Sequence, residues 1–217
     1  MIVTIDGPAG SGKSTVARQL AQRLGFEFLD TGAMYRVVGL LWSQGERTDS
    51  AAIEVSRNVV IEFHDGRVSA SGKDVTDEIR TEAASEAASI VAAIPEVRES
   101  MVRLQRLAAS GRDIVTEGRD QGTVVFPKAE RKFFLVAAPE ERARRRFEDL
   151  RSKQTDSDPD VTEGDVLRQI LERDQRDQNR DVAPLVPAED AILIDTTQVD
   201  VETVITQLIE RIQTPSR

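Results

Sequence analysis

Ile2-Val3-Thr4-Ile5-Asp6 runs directly into Gly7-Pro8-Ala9-Gly10-Ser11-Gly12-Lys13-Ser14-Thr15, and Val16 to Leu24 follow. Ile2 to Asp6 is a short apolar strand candidate. From Ser14 to Leu24, the residues Val16, Ala17, Leu20, Ala21 and Leu24 recur at helical spacing, and Gly25 supplies a stop. The turn between them fits G-x-x-x-x-G-K-[ST], and both of its flanks are the ones that pattern requires. Glycines let the backbone curl until successive N–H groups face one point. The helix start adds donors and a dipole that favours anions. Lys13 is placed to neutralise β and γ phosphates, and the Ser14 hydroxyl to join the shell of a Mg²⁺ ion. Gly7, Pro8, Ala9, Gly10, Ser11, Gly12, Lys13, Ser14 and Thr15 are therefore the candidate ATP-binding residues.

Outward from this loop, strand and helix signals alternate. Phe26 to Leu29 reads as a strand and Ala33 to Ser43 as a helix. Val59 to Phe63 and Val68 to Ala70, joined by the turn His64-Asp65-Gly66-Arg67, read as a β-hairpin. The whole polar stretch from Ala51 to Thr81 reads as a small insertion. Ala83 to Ala109 is helical and broken by Pro95. Asp113 to Thr116 and Lys132 to Ala137 are buried-strand candidates. Pro139, Glu140 and Glu141 start a helix with the right charge for its N-terminus. Lys153 to Asp160 is a polar loop, Val166 to Asp177 a helix, Ala191 to Asp195 a last buried strand and Val199 to Ile212 a closing helix. Such alternation implies an α/β fold with a mainly parallel sheet covered by helices on both faces.

Composition narrows the chemistry. The 217 residues suffice for one core or a core with a lobe attached. The net charge of −9 argues against a general nucleic-acid coat or a basic membrane-surface protein. The 29 basic residues are 24 Arg and 5 Lys, and Arg carries the planar fork suited to phosphate. With no Cys and a single His, His64, thiolate zinc sites, cysteine nucleophiles, Ser-His triads and multi-histidine metal sites are excluded. No apolar run approaches the ~20 residues that span a bilayer. The N-terminus lacks signal-peptide order, so a cytoplasmic protein is expected.

Three further clusters suggest a second anionic substrate. Asp30-Thr31-Gly32-Ala33-Met34-Tyr35-Arg36 holds the only Tyr beside an Arg. That pair can bind phosphate, or it can be an ordinary helix start with a surface Arg. Glu117-Gly118-Arg119-Asp120 lies at the carboxyl end of a strand, where ligands of open α/β sheets gather. Glu117 can hold magnesium through water, or pair with Lys13 or an Arg. In Arg173-Asp174-Gln175-Arg176-Asp177-Gln178-Asn179-Arg180, helical spacing puts Arg173, Asp177 and Arg180 along one face. One ATP cannot occupy all these arginines. If the acceptor is itself a phosphate, its oxygen is already a nucleophile and no general base is needed. Mobile lobes are then expected to exclude competing water.

Taken in order, GPAGSGKST at 7–15, DTGAMYR at 30–36, EIRT at 78–81, GRD at 118–120, GTVVFP at 122–127, RDQRDQNR at 173–180 and APLVPA at 183–188 resemble the bacterial cytidylate kinases, a group of nucleoside monophosphate kinases. The resemblance runs nearly end to end. It implies reversible transfer of the ATP γ-phosphate to CMP or dCMP, with Mg²⁺, in a monomer that takes no nucleic acid and no membrane as partner. It implies a single kinase domain with a P-loop core at 1–30, 111–140 and 183–217, a monophosphate-binding lobe at 31–110 and a lid region at 141–182. The insertion at about 58–80 matches the extra antiparallel sheet of these enzymes. Arg36, Arg119 and Arg180 should contact the acceptor phosphate, with Thr31 and Tyr35 alongside. Ser89, Arg98 and Asp120 should read the cytosine, Asp accepting from the exocyclic amine while Arg donates to ring acceptors. Arg173 and Asp177 should reach the sugar. Lys13, Arg119, Arg144 and Arg145 are the candidate catalytic cations. Many relatives carry Asp at Glu117 and some carry Ser at Thr31; both charge and hydroxyl are kept. The alternatives are a kinase directed at UMP or AMP, and a nucleotide-hydrolysing switch, for which no Asn-Lys-x-Asp guanine motif is present.

Overall fold

The protein is described by a computed structural model covering residues 1–64, 66–152, 161–180 and 182–214. The chain divides into two compact units, Met1–Phe28 with Arg112–Arg217, and Leu29–Gly111. Asp65 of the expected hairpin turn and the expected loop Lys153 to Asp160 lie outside the described residues.

In the first unit, β1 (Ile2–Asp6), β2 (Glu27–Asp30, entering the unit through Glu27 and Phe28), β6 (Ile114–Gly118), β7 (Arg131–Val136) and β8 (Ile192–Asp195) form one sheet in the order β2-β6-β1-β7-β8. β1 is central and pairs in parallel with β6 and β7, and β7 pairs in parallel with β8. Alternation decides which residues reach the core. Val3, Ile5, Val115, Phe133, Leu135 and Ile194 point to one face. There they meet Val16, Ala17, Leu20 and Ala21 of α1 (Lys13–Leu24) and Val204, Ile205, Leu208 and Ile212 of α8 (Val201–Gln213). Thr4 and Asp6 point the other way, under a π-helical turn at Gln121–Val125. That turn sits so close that a Cβ on Gly122 would stand 3.0 Å from the Thr4 hydroxyl and 3.4 Å from the Asp6 carboxylate. On the same chain segment, α6 (Pro139–Arg151) packs on α7 (Glu163–Gln178) through Ala143, Val166 and Ile170.

The second unit is helical with a small sheet. It contains α2 (Thr31–Ser43), α3 (Asp49–Asn58), α4 (Glu82–Val91) and α5 (Pro95–Ala108). β3 (Ile61–His64), β4 (Arg67–Ala70) and β5 (Lys73–Asp74) form an antiparallel three-stranded sheet. α5 opens on Pro95, whose missing N–H is one the first turn leaves unbonded in any case.

Four expectations need correction. The stretch from Ala51 to Thr81 is not wholly an insertion, because it begins inside α3. Thr48 caps that helix by accepting from Ala51 N, but only Ala52 and Ser56 of it are buried, too few to leave a readable apolar stripe. The hairpin gains a third strand, the two exposed residues of β5. β8 is an edge strand rather than a buried one, and its Leu193 is 61% exposed. α7 ends at Gln178, so Arg180 lies beyond the helix rather than on its face.

The tightest approach in the second unit fixes a prediction. A methyl group on Gly39 of α2 would lie 2.5 Å from the backbone N of Ala88 and 2.8 Å from the carbonyl carbon of Ala87 in α4. No rotamer change relieves a clash with backbone, so the helices must part. Gly39→Ala is expected to lose about 2 kcal/mol, the overpacking cost exceeding the gain in helix propensity. A lowered midpoint in urea unfolding, followed by circular dichroism, checks it.

Candidate functional site

The end of β1 delivers the chain into a loop built on left-handed glycines. Gly10 and Gly12 have φ of 75° and 83°, a region closed to most side chains. At Gly7 a Cβ would stand 2.2 Å from the Leu135 carbonyl oxygen, so only glycine lets the loop leave β1 beside β7. α1 starts at Lys13 with no side-chain cap, leaving its first N–H groups available to an anion. The Ser11 carbonyl accepts from the Thr196 hydroxyl at 3.1 Å, tying the loop to the end of β8. The Ser11 hydroxyl is buried and has no hydrogen-bond partner. Ser14 and Thr15 are exposed on the first turn of α1.

Lys13 is buried, and its ammonium donates to the Pro8 carbonyl at 2.9 Å. Burial, reinforced by the charge of Arg119, pulls its pKa down to about 7; Glu117 and Asp177 oppose the shift and Arg173 adds to it. Glu117 is buried at the end of β6. Arg119 follows it and donates to the Asp177 carboxylate at 2.8 Å, while Arg180 donates to the other oxygen of the same carboxylate. Asp177 is almost completely buried. Burial works against its charge, but Arg119, Arg180 and Arg173 outweigh that and hold its pKa below the usual range. Burial likewise disfavours the charge on Arg119, and Asp177 more than compensates. The structure thus brings together Lys13, Glu117, Arg119, Arg173, Asp177 and Arg180 around the phosphate loop. Asp120 is buried beside them, and its carbonyl accepts from Val124 and Val125 in the π-helical turn.

The two expected lid cations differ in placement. Arg145 donates to the carbonyl oxygens of Thr196 at 2.5 Å and Thr197 at 3.3 Å, and stands 3.9 Å from where a Gly12 Cβ would be. Arg144 instead is exposed, with its fork on Glu141 at 2.8 and 2.9 Å and a further bond to Glu148. The hydrogen bond from Arg144, with that from Arg145, holds Glu141 down to about 2.

Three residues were missed in the sequence. Asp6 is buried and accepts from Gln121 N at 2.9 Å and Gly122 N at 2.7 Å; burial pushes its pKa up to about 7 against those bonds. Its signal was a carboxylate closing an apolar strand. Arg142 and Asp174 form a buried pair at 2.5 Å against the loop at Ala9. Arg142 stood out in no way from Arg144, Arg145 and Arg146, except that Ala143, Phe147 and Leu150 mark the face of α6 turned inward.

In the second unit, Asp30 caps α2 by accepting from Ala33 N at 2.8 Å and also receives Arg36 at 3.5 Å. Thr31 is buried as the first residue of α2, where the sequence placed it in the preceding loop. Arg98 is buried with its guanidinium 5.8 Å from the Tyr35 ring centre, and it donates to the Ala92 carbonyl at 3.3 Å. Ser89 is buried on α4 and its hydroxyl has no hydrogen-bond partner.

The side chains offered to a metal, Ser14 and Glu117, carry oxygen ligands and no nitrogen or sulfur. Among the described residues no group of three or more His, Cys, Asp or Glu could hold a metal ion. The Ser14 hydroxyl and the Glu117 carboxylate suit a hard cation such as Mg²⁺, which keeps most of its shell as water and phosphate oxygen. No helix among those residues is long and apolar enough to cross a membrane.

Comparison with known proteins agrees with this geometry. A family model described as cytidylate kinase matches residues 3–214. A cytidylate kinase of Fervidobacterium nodosum is 52% identical over 210 residues, 96% of this chain and 94% of that protein. Those of Caldanaerobacter subterraneus subsp. tengcongensis and Vibrio cholerae are 46% and 45% identical; they cover 97% and 98% of this chain and align over 94% and 96% of their own lengths. Among solved structures, shikimate kinase from Bacteroides thetaiotaomicron shares the fold, with a TM-score of 0.54 at 13% identity over 99% of both chains. A P-loop on a parallel sheet, the cations gathered beside it and relatives matching nearly end to end agree: the chain belongs to the cytidylate kinase family.

Proposed function

We propose that the chain catalyses reversible transfer of the γ-phosphoryl group of ATP to CMP or dCMP, giving the diphosphate and ADP. The observation that carries this reading is the set of cations beside the phosphate loop: the buried Lys13, with the partly buried Arg119 and Arg173 near enough to push its pKa down further. The loop N–H groups from Gly10 to Thr15 and the Lys13 ammonium take the donor phosphates. An oxygen of the acceptor phosphate attacks the γ-phosphorus in line, the bond to the β–γ bridging oxygen breaks, and ADP leaves with that electron pair. The acceptor oxygen is already anionic, so no side chain removes a proton. Arg119 and Arg145 neutralise charge that builds on the transferred group, and Arg144 joins them after leaving its exposed acidic partners. Ser14 and, through water, Glu117 would hold Mg²⁺, which supplies charge neutralisation on the phosphates when bound.

For the acceptor, Arg36, Arg119 and Arg180 are assigned to the phosphate, as the resemblance implies, with Thr31 and Tyr35 alongside. Arg173 and Asp177 take the sugar. Asp120, Ser89 and Arg98 read the cytosine; the buried, unpartnered Ser89 hydroxyl supports this, since such a group ordinarily finds a partner. On this reading residues 31–110 form the monophosphate-binding lobe and 141–182 the lid. The enzyme acts as a cytoplasmic monomer on small nucleotides alone.

ADP release with ATP and Mg²⁺ is expected to be strong with CMP and dCMP and weak with UMP, AMP and GMP. Asp120→Ala is expected to lower kcat/KM for CMP about 100-fold while leaving ATP affinity within a few-fold. Equal losses for both substrates would remove Asp120 as a base reader.

Lys13 gives a pH prediction whose sign is fixed. With its pKa near 7 in the free protein, it is mostly neutral at pH 8. Donor phosphates restore its charge, so binding takes up a proton: close to one at pH 8, falling toward zero as pH drops below 6. Calorimetry of ATP binding in two buffers of different ionisation enthalpy reads the uptake, which should vanish in Lys13→Gln. Binding at pH 8 with no uptake in the unmodified protein contradicts it.

A further inference from the structure

Helix α7 carries two buried carboxylates one turn apart, and they face different partners. Asp177 bridges Arg119 and Arg180. Asp174 faces the phosphate loop: its Oδ2 pairs with the Arg142 guanidinium at 2.5 Å and its Oδ1 lies 3.4 Å from Ala9 N. Arg142 in turn donates to the Ala9 carbonyl at 2.9 Å and to the Ala137 carbonyl at 3.0 Å. One residue of the loop, Ala9, is thus held at both its N–H and its C=O by the two members of a single ion pair. Arg142 and Asp174 are 4% and 7% exposed, so water competes little for either. The fit leaves no slack, because a Cβ on the neighbouring Gly10 would stand 3.1 Å from the Arg142 Cβ and 3.3 Å from its carbonyl oxygen.

A stability role alone accounts poorly for this arrangement. Replacing a buried ion pair by apolar side chains of similar size is often neutral or stabilising, so packing α6 on α7 does not require one. What apolar residues cannot do is hold a backbone N–H and C=O of a left-handed glycine loop in one orientation. We propose that Arg142 and Asp174 are positioning residues for the donor phosphates, fixing the Ala9 segment of the phosphate loop and bracing it against α7. The pair touches no reacting atom. It acts by keeping the loop N–H groups converged before ATP arrives, which spares the ordering cost on binding. This rests on the phosphoryl-transfer reading only in that ATP is the donor.

The experiment compares the unmodified protein with Asp174→Asn, Arg142→Met and the double variant Arg142→Met/Asp174→Leu. For each, the melting temperature, the dissociation constants of ATP and of CMP measured separately, and kcat/KM for both substrates are recorded. The expected result is a loss of about 10- to 100-fold in ATP affinity and in kcat/KM for ATP, with the CMP dissociation constant unchanged. The double variant removes both charges and should recover the melting temperature but not ATP affinity. Where a single variant fails to fold, the double carries the test. Recovery of ATP affinity together with the melting temperature would overturn the proposal, and so would equal losses for ATP and CMP or no loss at all. Should the unmodified protein fail to phosphorylate CMP, the acceptor reading fails while the ATP dissociation constants still decide the role of the pair.

Discussion

Burial of a cation, sharpened by like charges beside it, governs the phosphate loop of the first unit. Lys13 is buried next to a loop of convergent N–H dipoles, and Arg119 and Arg173 press their charge upon it. Without anions this arrangement is unfavourable, and the shift of Lys13 toward neutrality expresses that cost. The neighbouring carboxylates limit it. Glu117 and Asp177 lie near enough to raise the Lys13 pKa in part, and Asp177 holds two guanidinium groups at once. On the proposed function, a phosphate that enters meets a desolvated Lys13 and guanidinium groups already held in place by Asp177. Their interaction with it is stronger than in water and needs little rearrangement.

The strand order explains why this collection is possible. Parallel pairing brings the carboxyl ends of β1, β6, β7 and β8 to one rim of the sheet. β1 ends in the phosphate loop, β6 in Glu117 and then Arg119, and β8 in Thr196, whose hydroxyl reaches the Ser11 carbonyl. Asp6 closes the gap between the first two. By accepting the N–H groups of Gln121 and Gly122 it fixes the π-helical turn that follows Arg119 and Asp120. Such turns are rare and occur mostly where function requires an irregular backbone.

The legibility of the sequence followed the range of the interactions involved. β1, the loop and α1 were readable because strand alternation, glycine spacing and a 3.6-residue apolar stripe act within a few residues. Arg119, Arg173 and Asp177 stood out as charged groups in short clusters, although that Asp177 bridges Arg119 and Arg180 did not. The helix α3 was hidden because its burial rests on Ala52 and Ser56, small residues that carry little hydrophobic signal. Leu193 read as core because an apolar run does not reveal which strand lies at a sheet edge. The pairing of Arg142 with Asp174 spans 32 residues, and nothing local distinguishes Arg142 from its neighbours on α6. Asp6 depends on partners 115 and 116 residues away, beyond any window of local pattern.

Net acidity and a cationic site are compatible because they act over different distances. The chain carries −9 overall, yet Lys13 is buried at its site and Arg119 and Arg180 are paired with the buried Asp177. At physiological salt, exposed charges are screened beyond about 8 Å, so the surface does little to a small nucleotide already inside the site. A long polyanion must instead approach across the acidic surface and neutralise charge at many points. Arg144, Arg146 and Arg168 are all committed to acidic neighbours on their own helices. Holding positive charge beside the phosphate loop is left to arginines, Arg119 and Arg173, next to Lys13. The choice of Arg over Lys serves the same end, because a guanidinium stays charged when buried, whereas Lys13 shows how readily an ammonium does not.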